Sequence, residues 1–321
     1  MAPLPVSRVT VSAPFQNTGV DVFGPFRINI AGRAYHKVWV ALFTCMAVHA
    51  VHFEVLRDMS SSSFINAFIR FRARRPGVRH LFSDNGSNFV AADKEIRGAM
   101  EEWNKSSAEE LAMQGIGWTF IPPHAPHYGG VWERMVKSAK KHLTAMLEAE
   151  GVHIEVFSTV LVKAESIINL RPLTRVSADS RDLQPLRPMD FLCPGVFSHS
   201  ADDILPPAPP GDNELRYSWK RSRSLIDGFW RRWSRDYVSA LQARPKWRST
   251  ERDLAVGDLV LLVDEQLRRS DWRLAVVKEA ESDGSHVRKV TVMVGGGREF
   301  VRDRTKVVRL ELDPQRKLHE D

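Results

Sequence analysis

From Thr18 to Leu56 the chain is dominated by apolar residues that fall into three runs. "TGVDVFGPFRINI", "YHKVWVALFTCM" and "AVHAVHFEVL" are rich in β-branched and aromatic residues and predict three strands, the first broken at Gly24-Pro25. The middle run is apolar almost without alternation, the pattern of a strand covered on both faces. "SSSSFINAFIRFRARR" changes the period: Phe64, Ile65, Phe68, Ile69 and Phe71 recur at helical spacing behind serines that can provide an N-cap. Residues 78–82 predict a short strand, 88–103 a helix, "GWTFIP" a strand, and the segment after "PPHAPHYGG" another helix. A further helix covers about 154–170 and stops near Arg171-Pro172. Strands first, then helices alternating with strands, predict an α/β core with a mixed sheet flanked by helices.

The pattern changes after residue 172. Residues 172–215 hold much of the proline, including "LPPAPPG", and read as a linker or extended loop. "ELRYSWKRSRSLIDGFWRRWSRDYVSALQAR" reads as a basic, tryptophan-rich helix. Beyond Leu254, "VGDLVLLVD", "WRLAVVKEAES", "VRKVTVMV" and "KVVRLEL" are short strands joined by turns containing Gly or Asp, the pattern of a small β-barrel. The expected layout is an N-terminal tail over 1–14, an α/β core over 15–175, a proline-rich linker over 176–215, the basic helix and barrel over 216–312, and a tail over 313–321.

Composition adds a partner class. With 321 residues, 43% of them apolar, the chain can build one large domain or two ordinary ones. The longest apolar run, 38–48, is too short to cross a bilayer, and "MAPLPVSRVTVSAPFQ" has no apolar signal-peptide region, so a soluble, non-secreted protein is expected. Cys45 and Cys193 form neither a disulfide framework nor a zinc pair. A net charge of +7 favours a polyanionic partner, and its distribution says where. Residues 1–211 carry 22 Lys/Arg and 20 Asp/Glu, a net of +2, whereas 212–312 carry 22 and 16, a net of +6. Within 216–248 ten basic residues face only Asp227 and Asp236, so the C-terminal third is the better candidate for touching phosphates.

Three acids stand out by context. Asp21 lies inside an otherwise apolar strand, where a carboxylate costs several kcal/mol unless it is paired or binds a metal. Asp84 ends a later strand in "SDNG", which alone is an ordinary turn. Glu133 lies in the first turn of "WERMVKSAKKHLTAML", where an acid also simply complements the helix dipole. At 100° per residue Trp132, Val136, Ala139, Leu143 and Leu147 share one face of that helix, and Glu133, Lys137, Lys140 and Thr144 form the neighbouring stripe. That stripe is either a solvated face with a Glu133–Lys137 pair, or a site where an acid holds a cation and lysines hold a phosphodiester. Three carboxylates on separate elements could hold two Mg²⁺ ions, hard cations that prefer oxygen ligands.

Together these motifs resemble a retroelement integrase of the DDE type, most like those of Pao/BEL-class LTR retrotransposons. Asp21 in "TGVDVFGPF" and Asp84 in "SDNGSNF" match the first and second catalytic aspartates, and Glu133 in "IPPHAPHYGGVWERMVKSAKKHL" matches the catalytic glutamate. Asn85, Gly86, Asn88 and Phe89 are also in pattern, and the resemblance runs on through "RPLTRVSADSRDLQPLRPMDFL" and "FWRRWSRDYVSALQARPKW" to about residue 312. Forty-eight residues separate Asp84 from Glu133, more than in retroviral integrases, so residues 90–116 read as an insertion. No His-His-Cys-Cys set precedes the core, unlike complete integrases with their zinc-binding N-terminal domain.

The resemblance implies an RNase H-like core with a five-stranded mixed sheet, followed by a small SH3-like barrel. It implies Asp21, Asp84 and Glu133 as ligands of two Mg²⁺ (or Mn²⁺) ions, and 3′-end processing and strand transfer of element DNA into target DNA in the nucleus by a homo-multimer. Lys137 and Lys140 are the residues expected to grip the element end, with Lys141 turned towards the flank, and Asn85 and Asn88 to orient the loop or touch DNA. On the C-terminal helix Arg231, Arg232 and Arg235 are expected to contact DNA, or to solvate a helix whose other face is buried through Trp219, Ile226, Phe229, Trp230, Trp233, Tyr237 and Leu241. Two other classes fit the same residues: an RNase H-like nuclease that cuts without joining, and a non-catalytic DNA-binding derivative of such an element.

Overall fold

The first sheet is built around β1 (Asn17–Asn29), which pairs antiparallel with β2 (Tyr35–Cys45) on one side and parallel with a later strand on the other. The structure, a computed structural model, describes residues 11–29, 35–84, 116–121, 132–147, 151–175, 185–194, 214–241, 253–263, 272–282 and 286–311. Strand β3 (Val51–Leu56) continues the meander, while β4 (His80–Asp84) and β5 (Gly117–Ile121) run parallel to β1, giving the order β3-β2-β1-β4-β5. Three antiparallel strands followed by two parallel ones, with the helix Ser61–Arg74 between β3 and β4 and further helices after β5, is the RNase H-like arrangement. The expected break at Gly24-Pro25 is a bulge inside one continuous strand, with the register shifting between Phe23 and Phe26. Gly24 has φ +129°, and a Cβ there would sit 3.2 Å from Trp39 Cα, so only glycine suits the position. The strand expected at 78–82 starts and ends two residues later, which makes Asp84 its last residue.

Helices cover both faces of this sheet. Helix α1 (Ser61–Arg74) begins where the serine run suggests, with the Ser60 hydroxyl accepting from Ser63 N at 3.1 Å. Its buried Phe64, Phe68 and Phe71 lie on the face of Val20 and Phe43, and Phe71 stacks on Phe43 at 4.0 Å. Helix α2 (Trp132–Leu147) packs on β1, and its Ala139, Leu143 and Leu147 are buried. Helix α3 (Ile154–Asn169) meets β1 and β3, with Phe157 against Phe26. The near-continuous burial of β2 from Val38 onward follows from this two-sided cover.

An edge strand such as β3 exposes a row of backbone donors and acceptors to stray pairing. Here side chains occupy them. Asn169 accepts from Val51 N and donates to Val51 O, both at 2.8 Å, Glu165 accepts from Phe53 N at 3.1 Å, and Arg70 donates to Val55 O at 2.7 Å. The same side chains form a charged cluster around His52, which is 2% exposed. Its Nδ1 meets Glu165 and its Nε2 meets Glu54, both at 3.1 Å, and Arg70 and Arg74 pair with Glu54 while Arg75 pairs with Glu165. Burial alone would lower the His52 pKa, but the carboxylates of Glu165 and Glu54 outweigh it and hold the imidazole above its ordinary value. Burial would likewise raise Glu54, but His52 and Arg70 hold it below its ordinary value.

The chain divides into two compact units, Met1–Asn169 with Pro206–Phe229, and Leu170–Leu205 with Trp230–Asp321. The second holds a two-strand ladder of β6 (Thr174–Arg175) and β7 (Pro185–Leu186), then a short helix, α4 (Pro188–Leu192). Helix α5 (Glu214–Leu241) gives residues 214–229 to the first unit and 230–241 to the second. Five antiparallel strands follow: β8 (Leu259–Leu262), β9 (Leu274–Ser282), β10 (Val287–Val294), β11 (Glu299–Asp303) and β12 (Val307–Glu311). A single 3-10 turn, Arg304–Lys306, returns the chain so that β12 pairs with β8, giving the SH3-like order β11-β10-β9-β8-β12. Strand β11 is an addition to the four strands expected from the sequence. It sits at a sheet edge, where Glu299 and Asp303 stay in solvent and no apolar stripe announces it.

One side of this sheet packs on itself through Val260, Val277, Val290, Val292 and Val307. The other side, through Leu259, Leu261, Leu274 and Val276, is covered by Val238, Leu241 and Trp272. There Trp233 stacks on Tyr237 at 5.3 Å, and Trp272 meets Trp230, Trp233 and Tyr237 edge-on. The Tyr237 hydroxyl donates to Pro172 O at 2.7 Å, and burial pushes the neighbouring Arg171 down to about 10.

The edge of β3 can be tested in two ways. Asn169→Ala leaves the Val51 amide and carbonyl buried without their partner and should cost roughly 2–4 kcal/mol in urea unfolding. A group whose pKa is raised on folding stabilises below its unfolded value and loses that contribution as pH rises through the folded value. The stability advantage of the wild type over His52→Gln should therefore be full below pH 6.5 and shrink as pH is raised beyond it, in urea titrations at a series of pH values.

Candidate active site

The register of β1 with β4 pairs Asn17 with His80 and runs in step to Val20 with Ser83. The next residue along each strand is Asp21 and Asp84. Neighbouring strands lie about 4.8 Å apart, so the backbones of the two acids stand side by side at the C-terminal end of β4. That end is fixed: Ser83 is buried, and its hydroxyl accepts from the Trp118 indole of β5 at 2.9 Å. Asp84 itself pairs with Ile121 in the β4–β5 ladder.

Asp21 is about one-third exposed, so it is less deeply placed than its apolar strand suggests. Its Oδ1 accepts from Val22 N at 2.8 Å, and its Oδ2 takes an ion pair from Lys140 Nζ. The ammonium lies 5.6 Å from the ring centroid of Phe23, two residues further along β1 and therefore on the same face. Helix α2 delivers it. Ala139, Leu143 and Leu147 are buried, and Lys140 is 18% exposed on the flank of that face.

Glu133 is the second residue of α2, two helical turns before Lys140 and on the stripe that Lys140 shares; its side chain, like that of Asp84, falls outside the described residues. Lys137 and Lys141 are exposed, whereas Asn85 and Asn88 lie outside the described residues. The structure thus brings together Asp21, the backbone of Asp84 and the helix that begins at Trp132-Glu133. Arg231, Arg232 and Arg235 lie on α5, in the second unit, exposed on either side in sequence of a fully buried Trp233. The aromatic face of that helix is therefore core, and its arginines lie off that face.

Sequence reasoning assigned Lys140 to a nucleic-acid backbone and did not foresee its contact with Asp21. The signal was present, since an acid in an apolar strand needs a partner and Lys140 is the least exposed of the three lysines on the helix flank. Among the described residues no group of three or more His, Cys, Asp or Glu side chains is placed to hold a metal ion. The donor described at this place, the partly exposed carboxylate of Asp21, is an oxygen donor of the kind a hard divalent cation takes.

A family model described as a family of unknown function (DUF5641) matches residues 217–310. No curated protein matches the chain. Among solved structures, the chain is similar to the simian T-cell lymphotropic virus intasome in complex with PP2A regulatory subunit B56 gamma, at 13% identity and a TM-score of 0.36, over 97% of this chain and 84% of that one. It is also similar to the HTLV-2 integrase catalytic core domain in complex with magnesium (trimeric form), at 16% identity and a TM-score of 0.33, over 50% of this chain and 90% of that one. The strand order, the register and the placing of the helices, rather than these scores, carry the fold assignment.

Proposed function

We propose that this chain is a DDE-type integrase of the Pao/BEL retrotransposon kind, which trims the 3′ ends of element DNA and joins them to target DNA in the nucleus. The observation that supports the reading best is the pairing register that sets Asp21 level with Asp84, beneath a helix that begins at Trp132-Glu133 and reaches Asp21 through Lys140. Asp21, Asp84 and Glu133 would hold two Mg²⁺ or Mn²⁺ ions, which when bound supply activation of the attacking oxygen and charge relief at the leaving oxygen. In end processing a water oxygen attacks phosphorus and the bond to the departing 3′-oxygen breaks. In joining, the processed 3′-hydroxyl attacks a target phosphodiester in the same sense, with no protein-bound intermediate.

The chain's own residues position the DNA. Lys137 and Lys141, exposed on α2, hold phosphates on either side of Lys140, and Asn85 and Asn88 follow Asp84 to orient the loop or meet the DNA. Arg231, Arg232 and Arg235 add sequence-independent phosphate contacts from α5. Two element ends must be held together, so the working form is a homo-multimer.

Incubated with a labelled blunt duplex, a target plasmid and Mg²⁺ or Mn²⁺, the wild type should give joined products, and Asp84→Asn should give none while unfolding at an unchanged temperature. Joining by Asp84→Asn would refute the assignment, and DNA binding without joining by the wild type would mark a non-catalytic DNA-binding derivative. Replacing Arg231, Arg232 and Arg235 with Gln should make the slope of log affinity against log salt shallower by up to about 3, close to one per phosphate contact. An unchanged slope would mean that the three arginines only solvate the helix.

A further inference from the structure

The Asp21 carboxylate is engaged at both oxygens. One oxygen is held by its neighbour's N–H at 2.8 Å and the other by Lys140. A freely moving surface lysine would gain little from such a pair. Lys140 is different because α2 packs on β1, only 18% of the side chain is exposed, and the Phe23 ring supports the ammonium at 5.6 Å.

We infer that Lys140 is a placeholder cation, which occupies the Asp21 oxygen in the metal-free protein and must leave it for a divalent ion to load. This rests on the reading of Asp21 as a metal ligand given above. A dication and an ammonium cannot share one carboxylate oxygen without strong mutual repulsion, so each binds at the other's expense. Once displaced, the ammonium is a mobile cation beside the loaded site, and a phosphate is the partner of opposite charge that restores its pairing. Metal loading and DNA binding therefore favour each other, and by linkage the coupling is the same in both directions. A site of this kind keeps its first carboxylate neutralised when empty, and arms its phosphate contact only when loaded.

The test is Mn²⁺ binding to the full chain without DNA, followed by the paramagnetic signal of unbound Mn²⁺. Lys140→Gln should bind Mn²⁺ roughly ten-fold more tightly than the wild type. Lys140→Arg, which keeps a cation in place, should stay within about two-fold of wild type, and Asp21→Asn should lose the binding. If Lys140→Gln does not fold, Lys140→Met keeps the apolar stem and carries the same expectation. Unchanged or weaker binding in the neutral variants, with loss in Asp21→Asn, would overturn the placeholder and leave the metal site standing. Equal tightening in Lys140→Arg would also overturn it, since charge would not be the cause. Wild-type binding that Asp21→Asn leaves intact would overturn the metal-site reading and the placeholder with it.

Discussion

Four in-register pairs between β1 and β4, from Asn17–His80 to Val20–Ser83, are the constraint on which the site depends. A slip of one residue would move Asp84 out of line with Asp21 and turn every side chain of β4 to the other face. Both strands are held from outside the pair. The β1–β2 ladder fixes one side of β1, and beyond β4 the Trp118 indole clamps Ser83, the residue just before Asp84. The acids stand on rigid elements, where a precise constellation is easier to keep than on a loop.

The sheet meets two demands with the same device, a side chain sent from a helix to a strand. At the outer edge, Asn169, Glu165 and Arg70 occupy the backbone groups of β3, and the charges they bring are balanced around His52. At the centre, Lys140 balances Asp21. Buried charge of this kind adds little net stability, because desolvation offsets most of the attraction. It specifies instead: β3 presents no open row of donors and acceptors at these positions, and Asp21 is held in one orientation. His52 and Glu54 of the edge cluster are buried and committed to structure, whereas the Asp21 pair is partly exposed.

Much of the fold was legible because its signals are local. The apolar run of β2, the serine cap of α1 and the helical spacing of Ala139, Leu143 and Leu147 each follow from a few neighbouring residues. Strand β11 was not legible, because an edge strand with exposed Glu299 and Asp303 carries no apolar alternation. Nor was the continuity of β1 across Gly24-Pro25, since a turn-like dipeptide can equally mark a bulge. At the site, motif spacing singled out Asp21, Asp84 and Glu133, but the Lys140–Asp21 pair joins residues 119 apart and depends on how α2 lies on β1. The His52 cluster is hidden for the same reason: Glu54 and His52 are near in sequence, but Glu165 is brought in by α3 from 113 residues away.

If Asp21, Asp84 and Glu133 converge on one divalent-cation site, metal-directed backbone cleavage will show it most directly. Fe²⁺ loaded in place of Mg²⁺, with ascorbate and peroxide, generates short-lived radicals that cut the chain only beside the bound ion. Three clusters of cuts are expected, around residues 21, 84 and 133, all suppressed together by excess Mg²⁺. Cuts confined to one of these segments, or lying elsewhere, would contradict a shared site.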